Sequence, residues 1–208
     1  MPRPRSLSTE KLAGAALAVI DRDGLAGLSM RAVAKELGMS TMALYRYVRD
    51  REELEGLVVD LVYAEVDPAP PPDGPWDERI MIMALRMRDA FGAHAAIVPL
   101  TLTHRHASTG SLYWGEAVAG ILAEAGVTGP RAAIALRALI AYIIGAIQLE
   151  HLGPLAGEGT AAIAALPAGE FPHMVETARH ARRIGPDEEF RGGLAAVLRG
   201  LGAAPGSP

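Results

Sequence analysis

The segment from Leu28 to Val48 constrains the fold of this chain more than any other part of the sequence. Ser29 and Ser40 are each placed to cap a short helix, and Gly38 between them ends the first helix because glycine adopts the left-handed conformation easily. The apolar residues recur at helical spacing and predict one buried face on each helix; they are Val33, Ala34, Leu37, Leu44 and Val48. The segment therefore predicts two short helices that cross closely at a tight turn, the first from Met30 to Leu37 and the second, capped by Ser40, to about Val48.

The polar residues of this segment fall on the faces that the apolar pattern leaves outside. Arg31 and Lys35 are predicted to point outward from the first helix, and Thr41, Tyr45 and Arg46 from the second. Hydroxyls, aromatic rings and cations on the exposed edge of paired short helices are typical of a helix-turn-helix that reads duplex DNA. An unrelated helical hairpin is the alternative interpretation.

The charge of the chain is divided unevenly along its length. The net charge is −4, yet residues 1–51 hold nine Lys and Arg against five Asp and Glu, which gives +4. The remaining residues hold eleven against nineteen, which gives −8. A basic N-terminal part attracts phosphate, while an acidic remainder keeps the rest of the molecule from adhering to the duplex. This distribution favours nucleic-acid binding, although scattered charges can also divide this way by chance.

The composition excludes several other classes of site. The chain has no cysteine, which rules out disulfide bonds, thiolate metal ligands and cysteine nucleophiles. The basic start, Met1-Pro-Arg-Pro-Arg, is followed by no apolar run, so we expect no signal peptide and a cytoplasmic protein. Residues 132–149 are apolar enough to test as a membrane span, but Arg137 lies inside the segment. A buried helix at a subunit contact is the favoured interpretation, and no membrane association is expected.

Helical periodicity continues along the rest of the chain, and no segment shows the alternation of a strand. We therefore expect an all-α protein. The first helix is predicted from Ser8 or Thr9 to about Arg22, and a fourth helix, capped by Asp50, from Arg51 to about Glu65. A proline-rich connector is predicted at 67–75. The later helices are predicted at 76–92, 94–103, 110–125, 130–151, 171–184 and 187–201.

These elements predict the domain organisation. A helix-turn-helix DNA-binding domain is expected at residues 1–51, with a linking helix at 51–65 and a larger helical domain at 66–208. Residues 1–7 are expected to form a loose basic arm, residues 153–169 to be partly loop, and residues 202–208 to be frayed.

Two segments carry a resemblance to the TetR (tetracycline repressor) family of bacterial transcription regulators. They are Leu28-Ser-Met-Arg-Ala-Val-Ala-Lys-Glu-Leu-Gly-Met and Ala43-Leu-Tyr-Arg-Tyr-Val-Arg-Asp-Arg-Glu-Glu-Leu. The resemblance is specific over residues 8–65 and is limited to the helical layout beyond them. The Leu-Tyr-x-Tyr-Val-x-x-Arg form, with a proline-bearing linker and a tryptophan after it, is similar to the branch that includes the tetracycline repressor. The resemblance implies a homodimeric repressor released from a palindromic operator by a small apolar or amphipathic effector.

The resemblance also implies roles for individual residues of the N-terminal domain. Thr41 and Ala43 match positions near base edges, where a hydroxyl can bond a base and a methyl group can meet thymine. Arg31 matches a position that reaches a guanine or a phosphate, and phosphate contacts are implied for Tyr45, Tyr47 and Arg51. The candidate DNA-binding set is Arg31, Ser40, Thr41, Ala43, Tyr45, Arg46, Tyr47, Arg49 and Arg51. Alternatives stay open for the arginines: Arg31 can pair with Glu36 or Asp50, and Arg49 and Arg51 can be solvated charges.

The larger domain offers candidates for dimerisation and for effector binding. In related proteins two late helices of each protomer form a four-helix bundle, which implies contacts through 130–151 and 187–201. The candidate dimer residues are Ile134, Ala138, Ala141, Ile144, Gly145, Gly193, Ala196 and Val197. Polar, aromatic and methionine side chains among apolar helices are candidate walls of an effector cavity; they are Met83, Met87, His94, His104, Trp114, Tyr142, Gln148 and His151.

Other functions receive little support from the sequence. His104-Arg-His106 lacks the i, i+4 spacing of a helical metal site, and no nucleophile elbow or phosphate loop is present. We expect no catalytic site, no resident metal and no cofactor, although in the tetracycline-repressor branch a metal can enter with the drug. The alternative function is that of a helical ligand carrier or interaction protein that does not bind DNA.

Overall fold

The computed structural model describes residues 7–202. Within this range the chain forms eleven α-helices and two short 3-10 helices, at Leu25–Gly27 and Ala95–Ile97, and no strand. The α-helices are α1 Thr9–Asp23, α2 Met30–Glu36, α3 Thr41–Leu44, α4 Arg51–Tyr63, α5 Trp76–Gly92, α6 Val98–His104, α7 Thr109–Glu124, α8 Gly129–Leu152, α9 Glu158–Ala164, α10 Pro172–Ala181 and α11 Pro186–Gly202. The predicted all-α fold is confirmed. The predicted basic arm, apart from residue 7, and the predicted frayed end, apart from residue 202, lie outside the described residues.

The helix starts of the N-terminal part follow the capping residues that the sequence predicts. Ser8, Ser29 and Ser40 each accept a hydrogen bond at 3.2 Å from the backbone N–H three residues later. Asp50 does the same for α4, with a distance of 2.8 Å to the N–H of Glu53. These bonds satisfy N–H groups that a helix leaves unpaired at its start. Gly38, with a φ of 65°, makes the sharp turn between α2 and α3.

The described residues divide into two compact units, of which the first comprises 7–69 together with 89–117. In this unit α1 packs against α2 and α4, and α4 packs against α6. The core contains the face predicted for the helix pair: Val33, Ala34 and Leu44 are at most 1% exposed. The rings of Tyr63 and Phe91 meet edge to face, with 4.8 Å between their centroids.

The second unit comprises residues 70–88 and 118–202. Here α8 packs against α11, and α9 packs against α10. Arg88 is a half-buried cation of this unit; its Nε and Nη2 donate to the two carboxylate oxygens of Glu150 at 3.0 and 3.2 Å. Its Nη1 donates to Asp187 at 3.2 Å, and its guanidinium lies 5.0 Å from the centre of the Phe190 ring. One arginine therefore joins α5, α8 and α11.

The third helix differs from its prediction. It was expected to continue to about Val48, but regular α-helix ends at Leu44. Beyond that point Arg46 and Tyr47 donate their backbone N–H to carbonyls only three residues earlier, at 3.3 and 2.9 Å. The backbone therefore tightens into successive turns, which still bury Val48 beside Leu44. Residues 153–169, expected to be partly loop, contain the short helix α9.

Helix α8 is long and apolar enough to cross a membrane by length and composition. Long core helices of soluble proteins meet the same criteria, so this property alone is weak evidence of a membrane span. Only 22% of its most apolar 18-residue window is buried inside the chain. Much of the apolar surface of α8 is therefore left uncovered in a single protomer.

Candidate nucleic-acid interface

The surface built by α3 and the turns that follow it presents hydroxyl groups and aromatic rings to solvent. Leu44 and Val48 are 0% and 2% exposed and hold this segment against the core. The side of the segment that faces away from them carries Tyr45 and Tyr47, which are 48% and 44% exposed. Thr41 is half-buried and stands at the first position of α3. The arrangement that the sequence predicts, with an apolar inner face and a polar outer edge, is present.

Three exposed cations border this surface. Arg31, Lys35 and Arg46 are exposed, and none of them forms an ion pair or side-chain hydrogen bond with another residue in the described range. The alternative pairing of Arg31 with Glu36 or Asp50 is absent from this structure. Glu36 instead accepts from Arg22 at 2.9 Å, and Asp50 caps α4. The positive charge of these side chains is therefore available to an external anion.

Arg49 is anchored at the start of α4. Its backbone N–H donates to Glu53 Oε2 at 2.7 Å, and its guanidinium Nε donates to the same oxygen at 3.1 Å. The pKa of Glu53 lies below its ordinary value. The largest cause is the hydrogen bond from the Arg49 backbone N–H, and the second is the hydrogen bond from the Arg49 guanidinium. The Arg49 side chain is nevertheless 83% exposed, so its guanidinium is accessible to a phosphate.

Arg51 is held more firmly. Its Nε donates to Glu55 Oε1 at 2.7 Å, and its Nη2 donates to the carbonyl oxygen of Leu25 at 3.3 Å. The other carboxylate oxygen of Glu55 lies 3.5 Å from Nε2 of His104 on α6. These residues border an open groove of about 610 Å³ that also includes Pro99 and Leu100.

Sequence reasoning missed Met42. This residue lies between Thr41 and Ala43 on α3 and is 78% exposed, the most exposed large apolar side chain of the first unit's described residues. Because this methionine is exposed and adjoins the candidate base-contacting residues, we include it in the candidate DNA-binding surface. The signal was present in the sequence, because the buried pair Leu44 and Val48 places position 42 on the outer face.

The candidate dimer residues lie on the outward sides of α8 and α11. Ile134 is 67% exposed, Ala141 and Ala196 are exposed, and the rest are half-buried: Ala138, Ile144, Gly145, Gly193 and Val197. Gly193 also has a contact inside its own chain, because a Cβ atom at this position would overlap the ring and hydroxyl of Tyr142. The interface itself stays a prediction.

The candidate effector residues are distributed over both units. Met83 and Met87 are buried in the second unit, and Trp114 is buried in the first. Several of the set have polar contacts in their own unit; for example, His94 Nδ1 lies 2.9 Å from Asp21, and the Tyr142 hydroxyl donates to the Phe190 carbonyl at 2.8 Å. Gln148 is half-buried and His151 is exposed. The assignment of these residues, including His104, to an effector site stays a prediction.

The chain matches two family models that together span most of its length. Residues 12–55 match "Bacterial regulatory proteins, tetR family", and residues 67–204 match "Tetracyclin repressor-like, C-terminal domain".

Similar proteins include repressors and a ligand-bound regulator. The HTH-type transcriptional repressor DrrR1 of Streptomyces coeruleorubidus is 29% identical, over 96% of this chain and 78% of its own length. The class A tetracycline repressor of transposon 1721 from Escherichia coli is 27% identical, over 90% of this chain and 87% of its own. Among solved structures, the TetR family protein ActR of Streptomyces coelicolor in complex with actinorhodin superposes with a TM-score of 0.81 at 27% identity, covering 98% of this chain and 99% of ActR.

Proposed function

Because this chain belongs to the TetR family of bacterial transcription regulators and is a DNA-binding regulator that responds to a ligand, we propose that it is a homodimeric repressor of a palindromic operator. DNA binding is assigned to residues 1–51 with the linking helix at 51–65. Effector binding and dimerisation are assigned to residues 66–208. The proposal gives no residue a catalytic role and places the protein in the cytoplasm.

The observation that carries the proposal is the exposed edge formed by α2, α3 and the following turns. Tyr45 and Tyr47 are exposed there, next to cations such as Arg31 and Arg46 that have no partner among the described residues. Side chains with unused hydrogen-bond donors suit phosphate oxygens, and the neighbouring Thr41 and Ala43 suit base edges. Ser40 caps α3 and fixes where this edge begins.

A titration with salt tests the DNA-binding part of the proposal. The probe is a duplex that the wild-type protein selects from a library with a random 30-base-pair centre. Fluorescence anisotropy of this duplex should show an affinity that falls steeply and linearly on a logarithmic salt scale, since each phosphate contact releases counterions. Binding that is independent of salt would favour the helical ligand carrier instead.

The uncovered apolar stripe of α8 supports a homodimer. Ile134, Leu149 and Leu152 are 67%, 60% and 80% exposed in the single chain. Their spacing places them on one side of the helix, with the small residues Ala141 and Gly145 between them. A second copy can therefore approach this side closely. A dimer would place its two DNA-binding surfaces on the two half-sites of an operator.

Sedimentation velocity tests the dimer. Ile134→Glu places a charge in the stripe and should convert the dimer to monomers, because an unpaired charge is costly in an apolar contact. Leu112→Glu, at a leucine of α7 that is 57% exposed, introduces the same charge elsewhere and should leave the dimer intact. A dimer that withstands Ile134→Glu would remove α8 from the interface.

The effector is proposed to be a small apolar or amphipathic molecule. The likeness to the actinorhodin complex of ActR supports a ligand of this character, and the buried Met83 and Met87 are adaptable side chains for its cavity. In a panel of such molecules that includes actinorhodin, the effector should lower the affinity of the protein for the selected duplex. Linkage requires the duplex to lower the affinity for the effector by the same factor. An effector that leaves duplex affinity unchanged would not be the inducer.

A further inference from the structure

Glu55 connects the candidate phosphate ligand Arg51 to helix α6. One carboxylate oxygen accepts from Arg51 Nε at 2.7 Å, and the other lies 3.5 Å from His104 Nε2. The side chains of Glu55 and His104 are only 16% and 11% exposed, whereas that of Arg51 is 46% exposed. The carboxylate is therefore more buried than the guanidinium that it binds.

The hydrogen bonds of Arg51 use only one side of its guanidinium. Nε donates to Glu55, and Nη2 donates to the carbonyl oxygen of Leu25 at 3.3 Å. Nη1 has no partner in the described part of the chain. A guanidinium carries five N–H donors in a planar fork, so the bonds to Glu55 and Leu25 leave the Nη1 edge free.

His104 restricts the carboxylate from the other side. Its ring lies beside the backbone of α4, where a Cβ atom added at Gly56 would be 3.5 Å from Nδ1. A carboxylate in contact with Arg51 and His104 on opposite oxygens has little freedom to rotate. The orientation of the Arg51 guanidinium is therefore determined by groups inside the protein before any ligand arrives.

We propose that Glu55 is the positioning residue for Arg51, and that it directs the free Nη1 edge of the guanidinium toward a DNA phosphate. This inference rests on the proposed function, because it takes Arg51 as a phosphate ligand. An arginine held in its binding orientation loses less side-chain entropy when it binds than one that must first be ordered. The negative charge of Glu55 itself opposes the phosphate, so the proposed benefit comes from the hydrogen bond to Arg51 and not from the charge.

A pair of similar-sized substitutions separates the bond from the charge. Glu55→Met keeps the length of the side chain but removes the hydrogen-bond acceptors, whereas Glu55→Gln removes the charge and replaces one oxygen by an NH2 group but keeps one acceptor oxygen for Arg51. Glu55→Met should weaken binding of the selected duplex about two- to tenfold per half-site, the range expected when one long side chain must be ordered on binding. Glu55→Gln should bind at least as tightly as wild type.

A double-mutant cycle shows whether Glu55 acts through Arg51. Arg51→Ala should weaken binding of all duplexes similarly and lower the salt slope by about one per protomer. In the Arg51→Ala background, Glu55→Met should cause no further loss of affinity. Glu52→Gln, one turn before Glu55 on the same groove, removes an equal charge whose carboxylate forms no hydrogen bond with Arg51, and should not weaken binding. Thermal unfolding verifies that each variant is folded.

The outcomes separate the inference from the proposed function. Suppose that Arg51→Ala loses affinity as expected, but Glu55→Met either leaves affinity unchanged or lowers it equally in the wild-type and Arg51→Ala backgrounds. This result would overturn the positioning role and leave the phosphate contact of Arg51 in place. Equal losses in Glu55→Met and Glu55→Gln would overturn it as well, since the charge would then matter more than the bond. An Arg51→Ala variant with unchanged affinity and salt slope would overturn both the positioning role and the phosphate contact of Arg51.

Discussion

The hydroxyl of Tyr142 on α8 donates to the carbonyl oxygen of Phe190 on α11 at 2.8 Å. The two rings also contact each other, with 5.7 Å between their centroids. Gly193, one turn further along α11, leaves the space that the Tyr142 ring occupies. The packing of α8 against α11 therefore depends on a tyrosine facing a glycine, both within one protomer.

Replacing this glycine should loosen the α8–α11 contact. Gly193→Ala adds a methyl group that overlaps the Tyr142 ring, so either the ring or the helix must shift. We expect a loss of about 1–3 kcal/mol in the free energy of unfolding, the usual cost of overpacking. Urea unfolding at a fixed protomer concentration measures it. Gly200→Ala in the same helix meets nothing within 4 Å and should be neutral or slightly stabilising.

Arg88 should matter to stability because its carboxylate partners lie on two other helices. Its side chain is 12% exposed, while those of Glu150 and Asp187 are 38% and 64% exposed. Arg88→Met would leave Glu150 without its bidentate partner, but partial exposure lets water replace some of the interaction. We expect a loss of about 1–3 kcal/mol in the free energy of unfolding, measured by urea denaturation.

Arg191 provides the comparison for Arg88. It also binds Asp187, at 2.7 Å, but within one helix and with a side chain that is 50% exposed. Arg191→Met should therefore cost no more than about 0.5 kcal/mol, the usual contribution of an exposed i, i+4 pair. Equal losses in the two variants would contradict the structural role of Arg88.

Local signals in the sequence were sufficient to predict most of the helices. The caps Ser8, Ser29, Ser40 and Asp50 and the turn at Gly38 act through bonds to neighbouring residues, so their positions could be read from the sequence. The end of α3 could not, because no glycine or proline stands between Leu44 and Asp50 to mark it. The contacts of Arg88 could not be predicted either, since Glu150 and Asp187 are 62 and 99 residues away in sequence.

The candidate site was predictable to a similar extent. Periodicity correctly placed Tyr45 outside and Leu44 inside, and the same reasoning could have identified Met42. The contacts of Glu55 with His104 and of Tyr142 with Phe190 required the fold, because each joins helices far apart in the chain. For this reason a polar side chain such as Tyr142 cannot be assigned to a cavity from its residue type alone.

The acid stability of α4 should depend on Glu53. Hydrogen bonding from the backbone and guanidinium of Arg49 lowers the pKa of this carboxyl in the folded protein. A lowered folded-state pKa contributes stability above the unfolded pKa of about 4.3, and that contribution is lost as the pH falls through the folded value. Glu53→Gln should therefore unfold at a lower urea concentration than wild type at pH 7, with the difference shrinking below about pH 4. A difference that stays constant from pH 7 to 3 would contradict this assignment.

Tyr45 should be required for DNA binding but not for folding. Its side chain is 48% exposed, while Leu44 and Val48 carry the packing of this segment. Tyr45→Ala should abolish binding of the selected duplex in anisotropy titrations and leave the dimer folded by sedimentation and circular dichroism. Tyr113→Ala, at a tyrosine of α7 that is 63% exposed, should bind DNA as wild type does. Intact affinity in Tyr45→Ala would refute the recognition surface.

Met42 should affect sequence preference rather than general affinity. Its side chain carries no charge and is 78% exposed beside Thr41, so it can contact an apolar group such as a thymine methyl but cannot neutralise a phosphate. Met42→Ala should lower the preference for the selected duplex over single-base variants by about 1–3 kcal/mol at one position per half-site. Its salt slope should equal that of the wild type, whereas Arg31→Ala should have a shallower slope if Arg31 binds phosphate. A uniform loss of affinity across all duplexes in Met42→Ala would show that this side chain supports the fold of α3 rather than reading the sequence.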